Sequence, residues 1–343
     1  MSKIKCFVIL LLVCSSSFVS TLAAQEKEPV FNGAGKPIIQ VFGNFDLNLG
    51  KDHGKRYGFW IGRAHFGYEH QFSEQFSGRI VLDVGRPTLF SQFSEMGGYK
   101  EGSYYSVTLK FASLEWMPNE HIRIQAGSIL QNHYITQEKF WGYRYLAPTF
   151  QDKYFGTPSG DLGIIGYFKV NEFLGLDLAL TNGEGFRFDQ DLFGDVKLAA
   201  GIDINPLEGL QGRFFYDYTQ SNNPLKPADQ QLFSGFIGYH HKKIFRAGGE
   251  YNYHKNHLNR PGEDIYGFSL FGSVSLFPNI ELFARFDKVM ANNIENKGNA
   301  YITGLHYSPV KGIHLSLNYQ GWDPENSTLT YQHHLLLSFE YKL

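Results

Sequence analysis

The feature that most constrains this 343-residue chain is an alternation of period two that keeps returning from about residue 37 to its end. In Ile313 to Gln320, Ile313, Leu315, Leu317 and Tyr319 fall on one face and His314, Ser316, Asn318 and Gln320 on the other. Successive strand side chains point to opposite faces, so this spacing predicts a strand with one apolar and one polar side. Tyr266 to Leu276, Ile280 to Asp287 and Ile39 to Asn48 repeat it. Sixteen segments can be read, starting near Pro37, Gly58, Gln75, Tyr104, His121, Gly160, Phe173, Gly194, Gly209, Gln231, Ile244, Asp264, Ile280, Asn299, Gly312 and Thr330. Only Ile135 to Tyr154 leaves room for a turn or two of helix. Glycines scattered through the strands would weaken a flat sheet but suit one that curves and closes.

The connections alternate as well. After even-numbered segments they are tight, as at Ser73-Glu74, Asn171-Glu172 and Pro278-Asn279. After odd-numbered ones they are longer and polar, as in Arg86 to Ser103, Gln131 to Ser159, Asn182 to Phe193 and Gly321 to Leu329. A soluble sandwich has no reason to sort loop length by sheet end, whereas a membrane barrel has short turns at one rim and long loops at the other. The expected class is therefore all-β, a transmembrane antiparallel β-barrel of sixteen strands.

Charge gives an independent test, because a Lys or Arg facing lipid at the bilayer midplane costs about 2 to 4 kcal/mol. By strand parity, Asp46, Arg63, Glu69, Arg79, Asp83, Lys110, Arg123, Lys169, Asp177, Lys197, Asp203, Arg213, Asp217, Arg246, Glu250, Arg285 and Asp287 fall opposite the apolar face. All but Asp46 and Glu69 are taken as candidate pore-lining residues. Glu115 is off-parity unless its strand slips near Ser113-Leu114, and the register of Leu232 to His240 is ambiguous. The inward set holds nine basic and eight acidic groups, a balance that gives little field to sort ions.

Lys3 and Lys5, the apolar run Cys6 to Val13 and the small residues up to Ala24 read as a secretory signal peptide over residues 1–24, cleaved near Ala24. Residues 25–36 then form a periplasmic lead-in and 37–343 the barrel. Both cysteines lie in the leader, so no disulfide or cysteine-ligated metal is expected in the mature chain. The 31 Phe, 21 Tyr and 4 Trp concentrate apolar surface in rings, many near strand ends, as an interfacial girdle requires. A formal charge of −2 argues against a nucleic-acid partner.

The stretch Arg63-Ala-His-Phe-Gly-Tyr-Glu-His-Gln-Phe-Ser-Glu-Gln-Phe-Ser-Gly-Arg-Ile-Val-Leu-Asp83, with Ser159-Gly-Asp-Leu-Gly163 and Thr181-Asn-Gly-Glu-Gly185, resembles the phosphate-selective porin family, porins O and P, in its Bacteroidetes-type members. The likeness is diffuse but runs over most of the mature chain. It implies a sixteen-stranded homotrimer in the bacterial outer membrane, with the third external loop folded inward to narrow the pore. Here the third long connection is also the longest, and it supplies Glu138, Lys139, Arg144, Asp152 and Lys153 as candidate constriction residues. The last strand, ending Phe339-Glu-Tyr-Lys-Leu343, is similar to the terminal signal read by barrel assembly machinery, with Leu where Phe is commoner.

The expected function is a water-filled channel for passive diffusion of small hydrophilic solutes or ions, in contact with outer-membrane lipid and without a cofactor or catalysis. A phosphate or anion uptake channel is the alternative that the resemblance implies. An outer-membrane enzyme on a barrel anchor, using a Ser and His such as Ser269, Ser275, His306 or His314 near a rim, and an adhesin rank behind these; no nucleophile motif stands out for the first, and longer loops would be expected of the second. His254-x-x-His257 lacks a third ligand at a recognisable spacing, so no metal site is assigned there; the loop acids Glu184, Asp189, Asp191 and Asp195 could hold Ca²⁺ together with backbone oxygens, although most such clusters are simply solvated.

Overall fold

The computed structural model describes residues 35–50, 57–85, 105–187, 190, 193–292, 297–326 and 331–343. The expected leader, most of the lead-in and the second long connection lie outside these residues. Sixteen strands run in order: β1 (Gly35–Asn48), β2 (Tyr57–Gln71), β3 (Phe76–Gly85), β4 (Ser106–Asn119), β5 (Ile122–Leu130), β6 (Gly160–Lys169), β7 (Leu174–Thr181), β8 (Lys197–Leu207), β9 (Leu210–Thr219), β10 (Gln230–His241), β11 (Phe245–Lys255), β12 (Ile265–Phe277), β13 (Ile280–Ala291), β14 (Gly298–Val310), β15 (Ile313–Pro324) and β16 (Gln332–Lys342). Each pairs antiparallel with its neighbours, and β1 closes on β16 from Gln40 opposite Lys342 to Asn48 opposite His334. Closure leaves no unpaired sheet edge, which a hydrocarbon environment would penalise. Every strand starts within three residues of the position that alternation indicated. The first begins at Gly35, so it takes in the last two residues of the expected lead-in.

Parity decides which side chains leave the barrel. Phe59, Val107, Phe214, Ile237, Leu270 and Leu337 are all more than half exposed on its outside, where only an apolar solvent would cover them. Lys288 is an exception that the charge argument overlooked: it pairs with Phe268 on the outward face, three residues from the loop end of β13. A lysine that close to a rim can snorkel to the interface at little cost.

Glu115 does point inward, but the slip lies elsewhere than expected. The β3–β4 register shifts between Val81 and Leu82, which pair with Phe111 and Leu109, leaving Lys110 as the extra residue. Lys110 and Phe111 are consequently both buried, and Glu115 accepts a hydrogen bond from Gln125. The bulge thus falls at Lys110 and not near Ser113-Leu114. In β10, Leu232, Ser234 and Phe236 face inward and Phe233, Ile237 and Tyr239 outward. The ambiguity of that strand has a physical cause: it is apolar on both faces because its inner face is also covered.

What covers it is the connection of residues 131–159. Two short helices, α1 (Ile135–Trp141) and α2 (Phe150–Tyr154), lie in the region left open to helix. Phe140, Trp141, Tyr143, Tyr145 and Ala147 form a buried cluster with the wall residues Phe42, Phe236, Phe271, Phe283 and Ile302. Phe150 and Phe155 form a second with Phe215, Leu232, Ile265 and Val289. Burying one such ring contributes roughly 1.5 to 3 kcal/mol. The barrel therefore has an internal hydrophobic core, built between one loop and one side of its own wall.

Candidate functional site in the barrel interior

The polar residues beneath the loop form a seat. Arg285 donates from Nε and Nη2 to the two oxygens of Asp287, at 2.7 and 2.8 Å, and from Nη1 to the Pro148 carbonyl at 2.5 Å. Glu250 accepts from the backbone N–H of Phe150, the first residue of α2, at 3.0 Å. Thr136 donates to Asp203 at 2.7 Å, and Gln320 to the Leu146 carbonyl at 3.1 Å. Tyr143 donates to Glu281, and the Tyr145 hydroxyl lies 2.8 Å from His306 Nδ1. Gly142 ends α1 with φ of +75°, a conformation natural to glycine, and a Cβ there would lie 2.5 Å from Arg246.

Of the fifteen candidate pore-lining residues, seven on the β7–β13 wall are buried in contacts with protein groups. Lys197 and Asp217 meet at 3.0 Å with both side chains about 3% exposed. Arg213 bridges buried Asp177 and the partly exposed Asp203, which is not one of the seven, and Glu250, Arg285 and Asp287 hold the loop. These seven point inward as parity indicated, but burial makes them structural members, not water-facing charges. Arg246 remains partly exposed, hydrogen-bonded to Ser273 and Glu281 with its guanidinium over the Tyr143 ring.

On the opposite wall Asp83 and Lys110 are buried too, but Arg63, Arg123 and Lys169 stay nearer water. Arg63 grips Asp83 through Nε and Nη2 at 2.8 and 2.9 Å, and Arg187, from the connection after β7, reaches the same carboxylate at 2.5 Å. His65 lies 3.4 Å from Asp83 and 3.2 Å from Lys110 Nζ. Towards the tight turns, Arg79 packs over Phe111, Arg123 stacks on Tyr167 at 3.9 Å and lies 3.6 Å from Glu115, and Lys169 is exposed. From the loop, Arg144 pairs with Glu138 at 2.8 Å and Asp152 at 3.3 Å, while Lys139 and Lys153 are exposed. Burial raises the Glu138 carboxyl against the pull of Arg144; despite its own burial Arg144 is raised, because Asp152 and Glu138 flank it.

Arg187, His65 and Glu281 were missed. Parity says nothing about a loop residue such as Arg187, and a search for charge passes over an inward His65. Glu281 has inward parity and was legible.

Two cavities adjoin the loop, and a third has no loop residue in its lining. One of about 280 Å³ lies between residues 144–148 and β1–β3, lined also by Arg63 and Arg187. One of about 990 Å³ lies beneath α1 at the rim of tight turns, with Lys139, Lys242, Lys243 and Arg246 facing Glu281. A third, of about 300 Å³, lies at the same rim beside Arg123 and Tyr167. Among the described residues no group of three His, Cys, Asp or Glu is placed to hold a metal ion, and Asp189 and Asp191 lie outside the described residues.

His133 gives the seat a pH dependence. It is fully buried, with Nε2 3.1 Å from the Thr157 hydroxyl. Burial, with Lys197 and Arg213 nearby, holds its pKa well below the ordinary 6.5. A released loop takes up a proton on His133 below pH of about 6.5 and the seated loop does not, so seating is strongest above that pH. It weakens by about 1.4 kcal/mol per pH unit below it. Hydrogen exchange of residues 131–159, corrected for intrinsic rates, is expected to speed up from pH 7 to 5. His133→Asn should flatten that slope, and an unchanged slope in the variant would refute the assignment.

No protein-family model matches the chain, and no curated protein matches it in sequence. Solved structures do match in fold. The anion-selective porin from Comamonas acidovorans superposes with a TM-score of 0.68 at 10% identity, over 91% of this chain and 100% of that one. OmpF of Salmonella typhi, in complex with daunomycin, gives 0.64 at 10% identity, over 91% and 98%. The outer-membrane channel DcaP of Acinetobacter baumannii gives 0.60 at 13%, over 94% and 100%. The closed sixteen-stranded antiparallel barrel is thus the fold of outer-membrane porins.

Proposed function

We propose that this chain is an outer-membrane porin, a water-filled channel for passive diffusion of small hydrophilic solutes or ions, narrowed by residues 131–159. The observation that carries the reading is a loop seated inside a closed barrel on one side only, with cavities left along its other side and beneath it. A barrel that served only as an anchor has no need of a buried seat of this size. In this reading the mature chain, cleaved near Ala24, is inserted by barrel assembly machinery through its C-terminal strand. It works as a homotrimer surrounded by outer-membrane lipid.

Phosphate selectivity is a second reading, supported by the gathering of Arg63, Lys110, Arg144 and Arg187 around Asp83, between the loop and the β2–β4 wall. Against these four cations stand Asp83, Glu138 and Asp152, so the local excess is one charge. Purified protein in a planar bilayer is expected to give stepwise conductance, and the reversal potential in a KCl gradient reports the sign of the selectivity. Intact β-structure by circular dichroism without channels would overturn the porin reading, and cation preference would overturn the anion one.

A further inference from the structure

The 280 Å³ cavity has two chemistries on facing sides. On the strand side, β1 and β2 slip register between Phe42 and Gly43, and Gly62 and Gly85 leave bare backbone. A Cβ added at Gly62 would meet nothing nearer than the Phe42 carbonyl at 3.9 Å, and one at Gly85 nothing nearer than the Gly62 carbonyl at 3.8 Å. Packing therefore does not require glycine at either place, and the space is real. On the loop side, Leu146 and Pro148 are partly exposed over the buried Phe42 and Tyr145, which makes an apolar surface.

Three guanidiniums line the same space. Arg63, Arg144 and Arg187 have side chains 21%, 22% and 27% exposed, whereas Asp83 is fully buried between Arg63 and Arg187. The ion pairs of Arg63 and Arg144 use Nε and Nη2, so the Nη1 edge of each is not taken up by them. A planar carboxylate fits such edges. A solute that used the whole cavity would set its carboxylate against the arginines and its apolar body against Leu146 and Pro148. Hydrated inorganic phosphate can use only the first of these features.

We propose that this cavity is a binding station for small organic carboxylates with an apolar body, on the scale of benzoate, within the channel; the proposal rests on the porin reading. The test is current block in a planar bilayer at neutral pH, with benzoate, inorganic phosphate and benzyl alcohol as probes. Benzoate is expected to halve the current at a concentration at least about tenfold below phosphate or benzyl alcohol. Leu146→Ser should bring benzoate to the level of phosphate while channels persist, and Gly62→Leu, which fills the cavity, should abolish its block. Channels that phosphate blocks as well as benzoate, or that neither blocks, overturn the proposal and leave the porin reading standing. Unchanged benzoate block in both variants overturns the location. Absence of channels in the wild type overturns the porin reading and the proposal with it.

Discussion

Asp287→Ala is expected to release the loop from its seat and raise single-channel conductance, with the barrel still closed. Arg285 and Asp287 are 4% and 0% exposed, and the bidentate pair is the main compensation for burying a guanidinium. Removing one partner of a buried ion pair costs about 3 to 5 kcal/mol, because the other charge is left without its counter-ion. Here Arg285 also donates to the Pro148 carbonyl and lies over the Trp141 ring, so the cost falls where the loop is attached. The strand ladder on either side is unaffected: Asp287 pairs in register with Ser269 and Ala300 through its backbone. The double variant Arg285→Met, Asp287→Leu separates the penalty of an unpaired charge from the worth of the pair. Apolar replacement of both partners is close to neutral in other proteins, so the double variant should have near wild-type conductance and protease resistance at Lys139 and Lys153. Equal loosening in the single and double variants would mean that the pair itself, through its bond to Pro148, holds the loop.

The outline of the barrel was legible because lipid imposes a rule that every strand must obey. One face must be apolar, so Ile313, Leu315 and Leu317 or Phe268 and Leu270 announce themselves without any knowledge of their neighbours. The rule says much less about the other face. Inward positions were expected to be wet, yet Phe236, Phe271, Phe283 and Ile302 sit there, because a segment distant in sequence packs onto them. Alternation fails at these residues, and its failure in Leu232 to His240 was the sequence's trace of the loop seat. The same blindness explains the charge count. Nine bases against eight acids treated each inward group as exposed, whereas Lys197–Asp217, Arg213–Asp177 and Arg285–Asp287 cancel in pairs behind the loop. Bulges were detectable only as an anomaly, Glu115, and their position depends on pairing with the next strand, which one sequence does not encode locally.

Phe140→Ala tests whether the apolar half of the seat matters as much as the ionic half. The Phe140 ring lies 5.3 Å from that of Phe236 and 6.2 Å from that of Phe271. It presses against two wall glycines: a Cβ at Gly238 would come within 2.6 Å of its ring and one at Gly248 within 3.0 Å. Those glycines form a socket that a larger residue would fill. Truncating a buried Phe to Ala costs about 3 to 5 kcal/mol, from lost transfer energy and from the void left behind. The void here would open directly into the 990 Å³ cavity that Phe140 lines, so water can enter it and α1 has little reason to stay. Larger and noisier single-channel conductance is expected, with faster proteolysis after Lys139, while the barrel keeps its heat-modifiable migration on gels. Gly238→Val should reproduce this from the wall side, by displacing the ring without touching the loop. Quiet, wild-type channels in both variants would show that the socket does not position α1, and that the polar contacts of Arg285, Glu250 and Gln320 suffice to hold the loop.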